Sequence, residues 1–224
     1  MYISLGSDCV IKKRMEEYYY HEKQMSQMFD WVLSDILAVS YILKNPEKIS
    51  EEYFEIITKT IEGFYVIKHK LCYFISLHDA PISLTEYEAK KSVVEKYKRR
   101  LKRLIDLICT RDLNFIVNYD RFNPIYEGKY MIETKDVIEF FKVLNGINPL
   151  HCHTLCIITD SPEKLSLNTN RIRVIDSKEF LDVETMTNDW YRFFFDWENI
   201  IKKITLPITF PKYNHDQGAL GEIP

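Results

Sequence analysis

Short runs of consecutive apolar residues, separated by segments with helical spacing, constrain the fold of this chain more than any other feature. Such runs are typical of strands that are buried on both faces, as they are in parallel sheets. The predicted strands are Tyr2–Leu5, Phe64–Lys68, Leu71–Leu77, Leu113–Val117, His153–Ile158 and Ile172–Ile175. Their alternation with helices predicts an α/β fold, a three-layer sandwich with a mostly parallel sheet and helices on both faces.

Helical patterns fill most of the chain between these strands. The longest predicted helix begins at a capping-box pair, Ser83 and Glu86, and continues to Cys109 with apolar residues at helical spacing. The other predicted helices are Val10–Tyr20, a helix from Ser34–Asp35 to Asn45, Glu51–Ile61, Thr134–Leu144 and Trp190–Ile204. We interpret residues 1–224 as a single α/β domain in which residues 32–62 are a candidate helical insertion.

Composition excludes several classes of protein. The chain has 46% hydrophobic and 14% aromatic residues, enough for a sizeable core, which excludes a disordered protein. The formal net charge of −3 gives no electrostatic reason to expect a nucleic acid or an anionic membrane as partner. The sequence shows no secretory signal and no membrane-spanning apolar run, and its five cysteines form no regular framework. We therefore expect a cytoplasmic protein with free thiols.

Polar residues follow several of the predicted strands. In an open parallel sheet, ligands bind beyond the carboxyl ends of the strands. The segments at these ends are Gly6–Cys9, His78–Asp79, Asn118–Asp120 and Thr159–Ser161. We expect these segments to meet at one edge of the sheet, where they would bring together a thiol, an imidazole, an amide and several carboxylates.

Cys9 is the candidate nucleophile at this edge. It lies at the start of a predicted helix, where backbone N–H groups and the helix dipole lower the pKa of a thiol from its free value of about 8.5. Gly6 permits a tight turn before the helix. Backbone N–H groups around Gly6, Ser7 and Asp8 are candidates for holding an oxyanion. The alternative interpretation is that Cys9 is a small buried apolar residue.

His78 is the candidate general base, because it is the one histidine that follows a strand at the predicted edge. A third polar group must orient the ring of this histidine. Asp79, Asp30, Asn118 and Asp160 are candidates for that role, and Asn118 and Asp160 are also candidates for contacting substrate. The implied chemistry is attack on a peptide, an amide or a small acyl substrate, without a cofactor.

Four motifs of this chain resemble a family of uncharacterised proteins labelled papain-like cysteine peptidases. The motifs are ISLGSDC at Ile3–Cys9, FDW at Phe29–Trp31, HD at His78–Asp79 and YKRR at Tyr97–Arg100. The resemblance implies a cysteine–histidine hydrolase and makes Asp30 a candidate site residue. The chain departs from the family pattern at Asp8, Met28 and Ala80. The histidine of papain itself lies in a β-rich half of the enzyme, which the parallel sheet predicted here does not resemble.

Two other interpretations stay open. A basic helix face that includes Arg99 and Arg100 favours a non-catalytic binding module for an acidic or phosphorylated partner. Ser7 would alternatively be the nucleophile of a small esterase, although its GSD order inverts the usual GDS signature. The segment His151–His153 precedes its strand and has no evident carboxylate partner, so we predict no metal site.

Overall fold

Two four-stranded sheets organise the chain, and five α-helices pack around them in the residues that the structure describes. The computed structural model describes residues 1–6, 10–18, 25–119, 132–167, 169–180 and 196–206. In chain order the elements are β1 (Tyr2–Ser4), α1 (Val10–Tyr18), β2 (Val32–Ser34), α2 (Ile36–Lys44), β3 (Phe54–Lys59), β4 (Tyr65–His69), β5 (Phe74–Ser76), α3 (Glu86–Thr110), β6 (Asn114–Tyr119), α4 (Thr134–Ile147), β7 (Thr154–Thr159), β8 (Ile172–Asp176) and α5 (Trp197–Thr205).

The first sheet has the strand order β1-β6-β7-β8, and every neighbouring pair in it is parallel. Helices cover both of its faces, because side chains along a strand alternate between the two faces. Phe115 and Val117 of β6 belong to a large core cluster that includes residues of α2, α3 and α4. Ile116, between them, belongs to a smaller cluster with Ile11 of α1 and Ile200 of α5. The predicted three-layer α/β architecture is therefore confirmed.

The second sheet is antiparallel, with the strand order β2-β5-β4-β3. The predicted strands Phe64–Lys68 and Leu71–Leu77 correspond to β4 and β5, which pair with each other in this sheet. The prediction that Leu71–Leu77 ends at the edge of the parallel sheet is therefore wrong. The connection between β4 and β5 is short, whereas a parallel crossover needs about a dozen residues or more.

The structure of the segment Glu51–Ile61, which was predicted to be a helix, also differs from the prediction. It forms a 3-10 turn at Glu51–Tyr53 and then the strand β3, which pairs with β4. Consecutive β-branched residues in the sequence FEIITK favour the strand once a partner strand is available. Residues 32–62 thus contain one α-helix and two strands, so a purely helical insertion is wrong.

Side-chain caps explain where the helices begin. Asp35 caps α2 as predicted, because its side chain accepts a hydrogen bond from the Ala38 N–H at 2.6 Å. The long helix α3 begins later than predicted, since the capping box is formed by Thr85 and Glu88. Glu133, not Thr134, occupies the N-cap of α4.

The helix ends differ from the predictions in two places. Helix α4 ends at Ile147, beyond the predicted end at Leu144, so Gly146 lies inside it. Of the predicted helix Trp190–Ile204, residues 190–195 lie outside the described part, and α5 begins at Trp197. Across the described helices, none combines the length and the apolar character that crossing a membrane requires.

Candidate functional site

The carboxyl end of β1 turns sharply at Gly6, where the two sheets meet. Gly6 has a φ of +93°, and a Cβ atom built on it would lie 1.9 Å from Ser34 Oγ of β2. The Ser34 hydroxyl donates a hydrogen bond to the Leu5 carbonyl at 2.8 Å. A side chain at position 6 is therefore excluded by both backbone conformation and space, as expected for a tight strand-to-helix turn.

Buried polar side chains gather on the α1 face of the parallel sheet, towards its carboxyl edge. Ser4 lies there at the end of β1, next to Ile11 and Lys12 of α1. Asn118 on β6 shares this face by strand alternation, Asp160 directly follows β7, and both are buried. The order β1-β6-β7 thus brings together three of the four strand ends that were predicted to meet.

Ser7, Asp8 and Cys9 lie outside the described residues. The flanking residues Gly6 and Val10 are described, and Val10 is the first residue of α1. The identity of Cys9 as a nucleophile, the oxyanion role of the Gly6–Asp8 segment and the alternative nucleophile Ser7 stay predictions.

His78 lies beyond the end of β5 on the antiparallel sheet. Its side chain is exposed, and its ring packs edge-on against Phe64 with 5.8 Å between ring centroids. Hydrogen bonds from the Glu62 backbone and from Thr60 lower the pKa of the Glu62 carboxyl, and nearby His78 acts in the same direction. The proposed pairing of Cys9 with His78 stays a prediction, because only one partner is described.

The Asp79 carboxylate accepts hydrogen bonds from a group of side chains that does not include His78. Ser76 Oγ donates to Asp79 Oδ2 at 2.8 Å, Tyr97 Oη donates to the same oxygen, and Lys96 Nζ donates to Oδ1 at 2.8 Å. Burial alone would raise the pKa of Asp79, but hydrogen bonds from Lys96 and Tyr97 hold it below its ordinary value. Among the described contacts, none joins Asp79 to the His78 ring, so Asp79 serves the β5–α3 packing.

Asp30 forms a second buried polar group with α1. It is 1% exposed, its Oδ2 accepts the Gln27 N–H at 2.6 Å, and the same oxygen lies 3.7 Å from Lys12 Nζ. Burial raises the pKa of Asp30, while the Gln27 hydrogen bond and the charges of Lys12 and Arg100 oppose that rise. The FDW and YKRR motifs therefore meet next to the helix that follows Cys9.

The basic face of α3 is divided between interior and surface. Arg100 is partly buried, with its guanidinium 5.5 Å from the Tyr97 ring centroid, and Arg103 donates to the Ser26 carbonyl at 3.0 Å. Arg99 is exposed, as are Lys98 and Lys102. A helix turns adjacent residues in different directions, so Arg99 is exposed while Arg100 is partly buried. The basic helix face that includes Arg99 and Arg100 stays a prediction.

A thiol–imidazole pair that the sequence analysis missed lies at the end of β4. Cys72 Sγ is 3.3 Å from His69 Nδ1, and His69 Nε2 is 3.1 Å from the Lys48 carbonyl. The carbonyl accepts only, so Nε2 carries the ring proton, and Nδ1 is an acceptor that faces both the Leu71 N–H, at 3.2 Å, and the Cys72 thiol. Burial raises the pKa of Cys72 to about 12 and lowers the pKa of His69. This is a neutral structural pair, and the only signal for it is the H-x-x-C spacing.

The segment His151–His153 lies at the amino edge of the parallel sheet, as expected, because it directly precedes β7. His151 Nδ1 is 3.2 Å from Asp112 Oδ1, while His153 is fully buried and its Nδ1 accepts the Leu113 N–H. Within the described ranges, no group of three or more metal-ligating side chains is found.

We expect His153 to make the protein less stable in acid. Burial, together with the charge of Arg171, lowers the pKa of His153 from 6.5 to about 4. The unfolded chain therefore binds a proton that the folded protein rejects, so stability is complete above pH 6.5 and falls as the pH approaches 4. The expected loss between pH 7 and 4.5 is roughly 2 kcal/mol. Urea unfolding at both pH values checks this, with His153→Asn expected to flatten the dependence and His151→Asn to leave it. Equal pH dependences for wild type and His153→Asn would contradict it.

Comparisons with known proteins add one partial similarity. No family model matches the chain, and no solved structure matches it. Over 172 residues the chain is 29% identical to DNA polymerase III PolC-type of Mycoplasmopsis pulmonis (strain UAB CTIP), a match that covers 66% of this chain and 11% of the polymerase. The chain thus spans about a tenth of the length of that relative. The resemblance to papain-like cysteine peptidases stays a prediction.

Proposed function

We propose that this protein is a thiol-dependent hydrolase or acyl transferase in which Cys9 is the nucleophile. The observation that carries the proposal is the turn at Gly6, which ends a parallel strand immediately before the segment that leads into α1. Two buried polar residues at the carboxyl ends of neighbouring strands, Asn118 and Asp160, support a reaction site at this edge. The described cysteines are free thiols, which supports a reducing compartment such as the cytoplasm.

In the proposed reaction, His78 takes the proton of the Cys9 thiol, and the thiolate attacks the carbonyl carbon of a peptide, amide or small acyl substrate. A C–S bond forms, and the carbonyl electrons become an oxyanion that the N–H groups at the start of α1 hold. When the oxyanion collapses, the leaving group departs with a proton from His78. Water then attacks the thioester, gives its proton to His78 and releases the acid, whereas an amine in place of water completes acyl transfer.

The pH dependence of Cys9 alkylation tests this proposal. Helix-start N–H groups and a histidine base lower the pKa of a thiol, so we expect Cys9 to react with iodoacetamide at least about tenfold faster than an ordinary thiol at pH 6.5. His78→Ala is expected to reduce that advantage. Peptide mass spectrometry measures the rate at each cysteine separately.

Two other cysteines provide the control inside the same sample. Cys109 and Cys152 are exposed, and they report the rate of an ordinary accessible thiol. Cys72 and Cys156 both have a pKa raised to about 12 by burial, so they contribute little below pH 9. If Cys9 is alkylated at the same rate as Cys109, and His78→Ala does not change that rate, the hydrolase proposal is rejected. That result would favour the alternative, a binding module in which exposed Arg99 contacts an acidic partner.

A further inference from the structure

A cavity of about 200 Å³ lies at the amino edge of the parallel sheet, between the sheet and the last turn of α5. Its floor is a row of aligned residues at the start of three neighbouring strands, in which Tyr2 pairs with Asn114 and Asn114 pairs with Thr154. This row faces α5, because Ile116 and Cys156, two positions further along β6 and β7, belong to the core cluster that includes α5. The cavity is therefore at the end of the sheet opposite to the proposed reaction site.

Arg173 holds one wall of this cavity in place. It lies on β8 opposite Cys156, and its guanidinium donates to the carbonyls of Ile204 and Leu206 at 3.0 and 2.9 Å. A helix leaves its last carbonyls without partners of its own, so Arg173 fixes the end of α5 to the sheet. The cavity is thus preformed, and the recognition of a ligand falls to other groups.

The floor of the cavity provides a hydrogen-bond donor. Thr154 Oγ1 donates to Asn114 Oδ1 at 2.6 Å, which occupies the carbonyl oxygen of the Asn114 amide. The amide nitrogen takes no part in this bond, and among the described contacts no acceptor for it is found. Asn114, which lines the cavity, therefore has N–H groups available for a bound molecule.

An acceptor lies on the same side of the chain. Asp112 Oδ1 accepts the Cys152 N–H at 2.8 Å and lies 3.2 Å from His151 Nδ1. The second carboxylate oxygen has no such partner among the described residues, and the Asp112 side chain is 66% exposed. Asp112 precedes Asn114 by two residues, which separates the two by about 7 Å in an extended chain. One small ligand can therefore contact both.

We infer that this cavity binds a small uncharged molecule that carries an amide group. The amide carbonyl accepts from Asn114, the amide N–H donates to Asp112, and the apolar part of the molecule packs against Tyr2 and Ile204. A carboxylate has no proton to donate to Asp112, and an ammonium has no lone pair to accept from Asn114. The volume limits the ligand to about ten non-hydrogen atoms, since a water molecule takes roughly 30 Å³.

Protection of Cys152 in the full chain tests this inference. Cys152 lines the cavity and is exposed, whereas Cys109 is exposed and does not line it. We expect benzamide at about 10 mM to slow the alkylation of Cys152 by iodoacetamide at least about threefold, without a change at Cys109. Benzoate and benzylammonium have nearly the same shape and are expected to protect Cys152 much less. Peptide mass spectrometry measures both rates in one sample.

Asn114→Asp tests the donor without changing the shape of the site. It keeps the oxygen that Thr154 bonds and replaces the N–H donor with an acceptor, so the benzamide concentration for half-protection should rise about tenfold. Asp112→Asn should raise it about threefold, because the exposed carboxylate acceptor is replaced by a neutral one. Asp106→Asn changes an exposed carboxylate that does not line the cavity and should have no effect.

Several results would overturn the inference. In the wild-type chain these are an absence of protection by benzamide, or protection by benzylammonium or benzoate that equals it. Slow alkylation of Cys152 without any added molecule would also overturn it, because the mouth of the cavity would then be closed. These measurements need no variant, so they decide the question even if Asn114→Asp does not fold. Unchanged protection in folded Asn114→Asp would reject the assigned donor and the amide with it.

Discussion

Replacing Gly6 with alanine is expected to lower the free energy of unfolding by roughly 4 kcal/mol, from backbone strain and overpacking together. The φ of +93° is strained for any residue with a Cβ, and that Cβ would lie 1.9 Å from Ser34 Oγ. Ser34 cannot move away freely, because its hydroxyl bonds the Leu5 carbonyl. Urea denaturation of the purified variant measures the loss.

Two other glycines provide matched controls for this prediction. Gly63 also has a positive φ, of +84°, but an added Cβ would meet only Ile82 at 3.7 Å, so Gly63→Ala carries strain without a clash. We expect it to cost roughly 1 kcal/mol. Gly146 lies in α4 with open space around it, and Gly146→Ala is expected to stabilise the protein by about 0.5 kcal/mol.

A second substitution separates the two causes at Gly6. Ser34→Gly removes the hydroxyl and Cβ that the new methyl group would strike, so Gly6→Ala should be less damaging in a Ser34→Gly background than in wild type. The backbone strain and a 3.1 Å contact with the Ser34 backbone nitrogen would remain. If Gly6→Ala cost no more than Gly63→Ala in the wild-type background, the close contact between the two sheets would be wrong.

Removal of the Asp79 carboxylate is expected to lower the free energy of unfolding by roughly 3 to 5 kcal/mol in Asp79→Ala. The substitution leaves the buried Tyr97 hydroxyl and the Lys96 ammonium without the acceptor that both use. Asp79→Asn keeps an oxygen acceptor and loses the charge, so its expected cost is smaller, roughly 1 to 3 kcal/mol. Denaturant titration at pH 7 measures both variants.

A surface ion pair provides the control for Asp79. Lys202 Nζ lies 2.6 Å from Glu198 Oε1, but both side chains are about 60% exposed, so Glu198→Ala should cost less than about 1 kcal/mol. The pKa of Asp79 is lowered by folding, so its contribution is present above its ordinary value of 3.8 and disappears as the pH falls further. Equal losses for Asp79→Ala and Glu198→Ala would contradict the hydrogen-bond group described here.

The sequence was sufficient to predict the parallel sheet and its helices, because a strand buried on both faces leaves an unambiguous apolar run. The predicted strands Leu113–Val117 and His153–Ile158 correspond to β6 and β7. The same apolar signal could not assign β4 and β5 to a second sheet. These two strands are as apolar as those of the parallel sheet, and they differ only in pairing with each other. The local sequence of β3 predicts a helix, because its strand character depends on pairing with β4, which a local pattern does not include.

The candidate site was predictable in outline only. Strand ends placed Gly6, Asn118 and Asp160 at one edge correctly, since strand order in a parallel sheet follows from simple connections. The partners of Asp30 and Asp79 were not foreseen. Lys12 lies on α1, and Lys96 and Tyr97 lie on α3, so their contacts with Asp30 and Asp79 arise only when these helices pack in three dimensions.

The large core cluster joins both sheets, and this limits how the chain can be divided. Phe54 and Phe74 of the antiparallel sheet share that cluster with Phe115 and Leu155 of the parallel sheet. Two fragments produced by cleavage in the turn before α3 would each expose an apolar surface to solvent. They would tend to reassociate or to aggregate. The chain is better suited to split-fragment complementation than to trimming into a smaller autonomous unit.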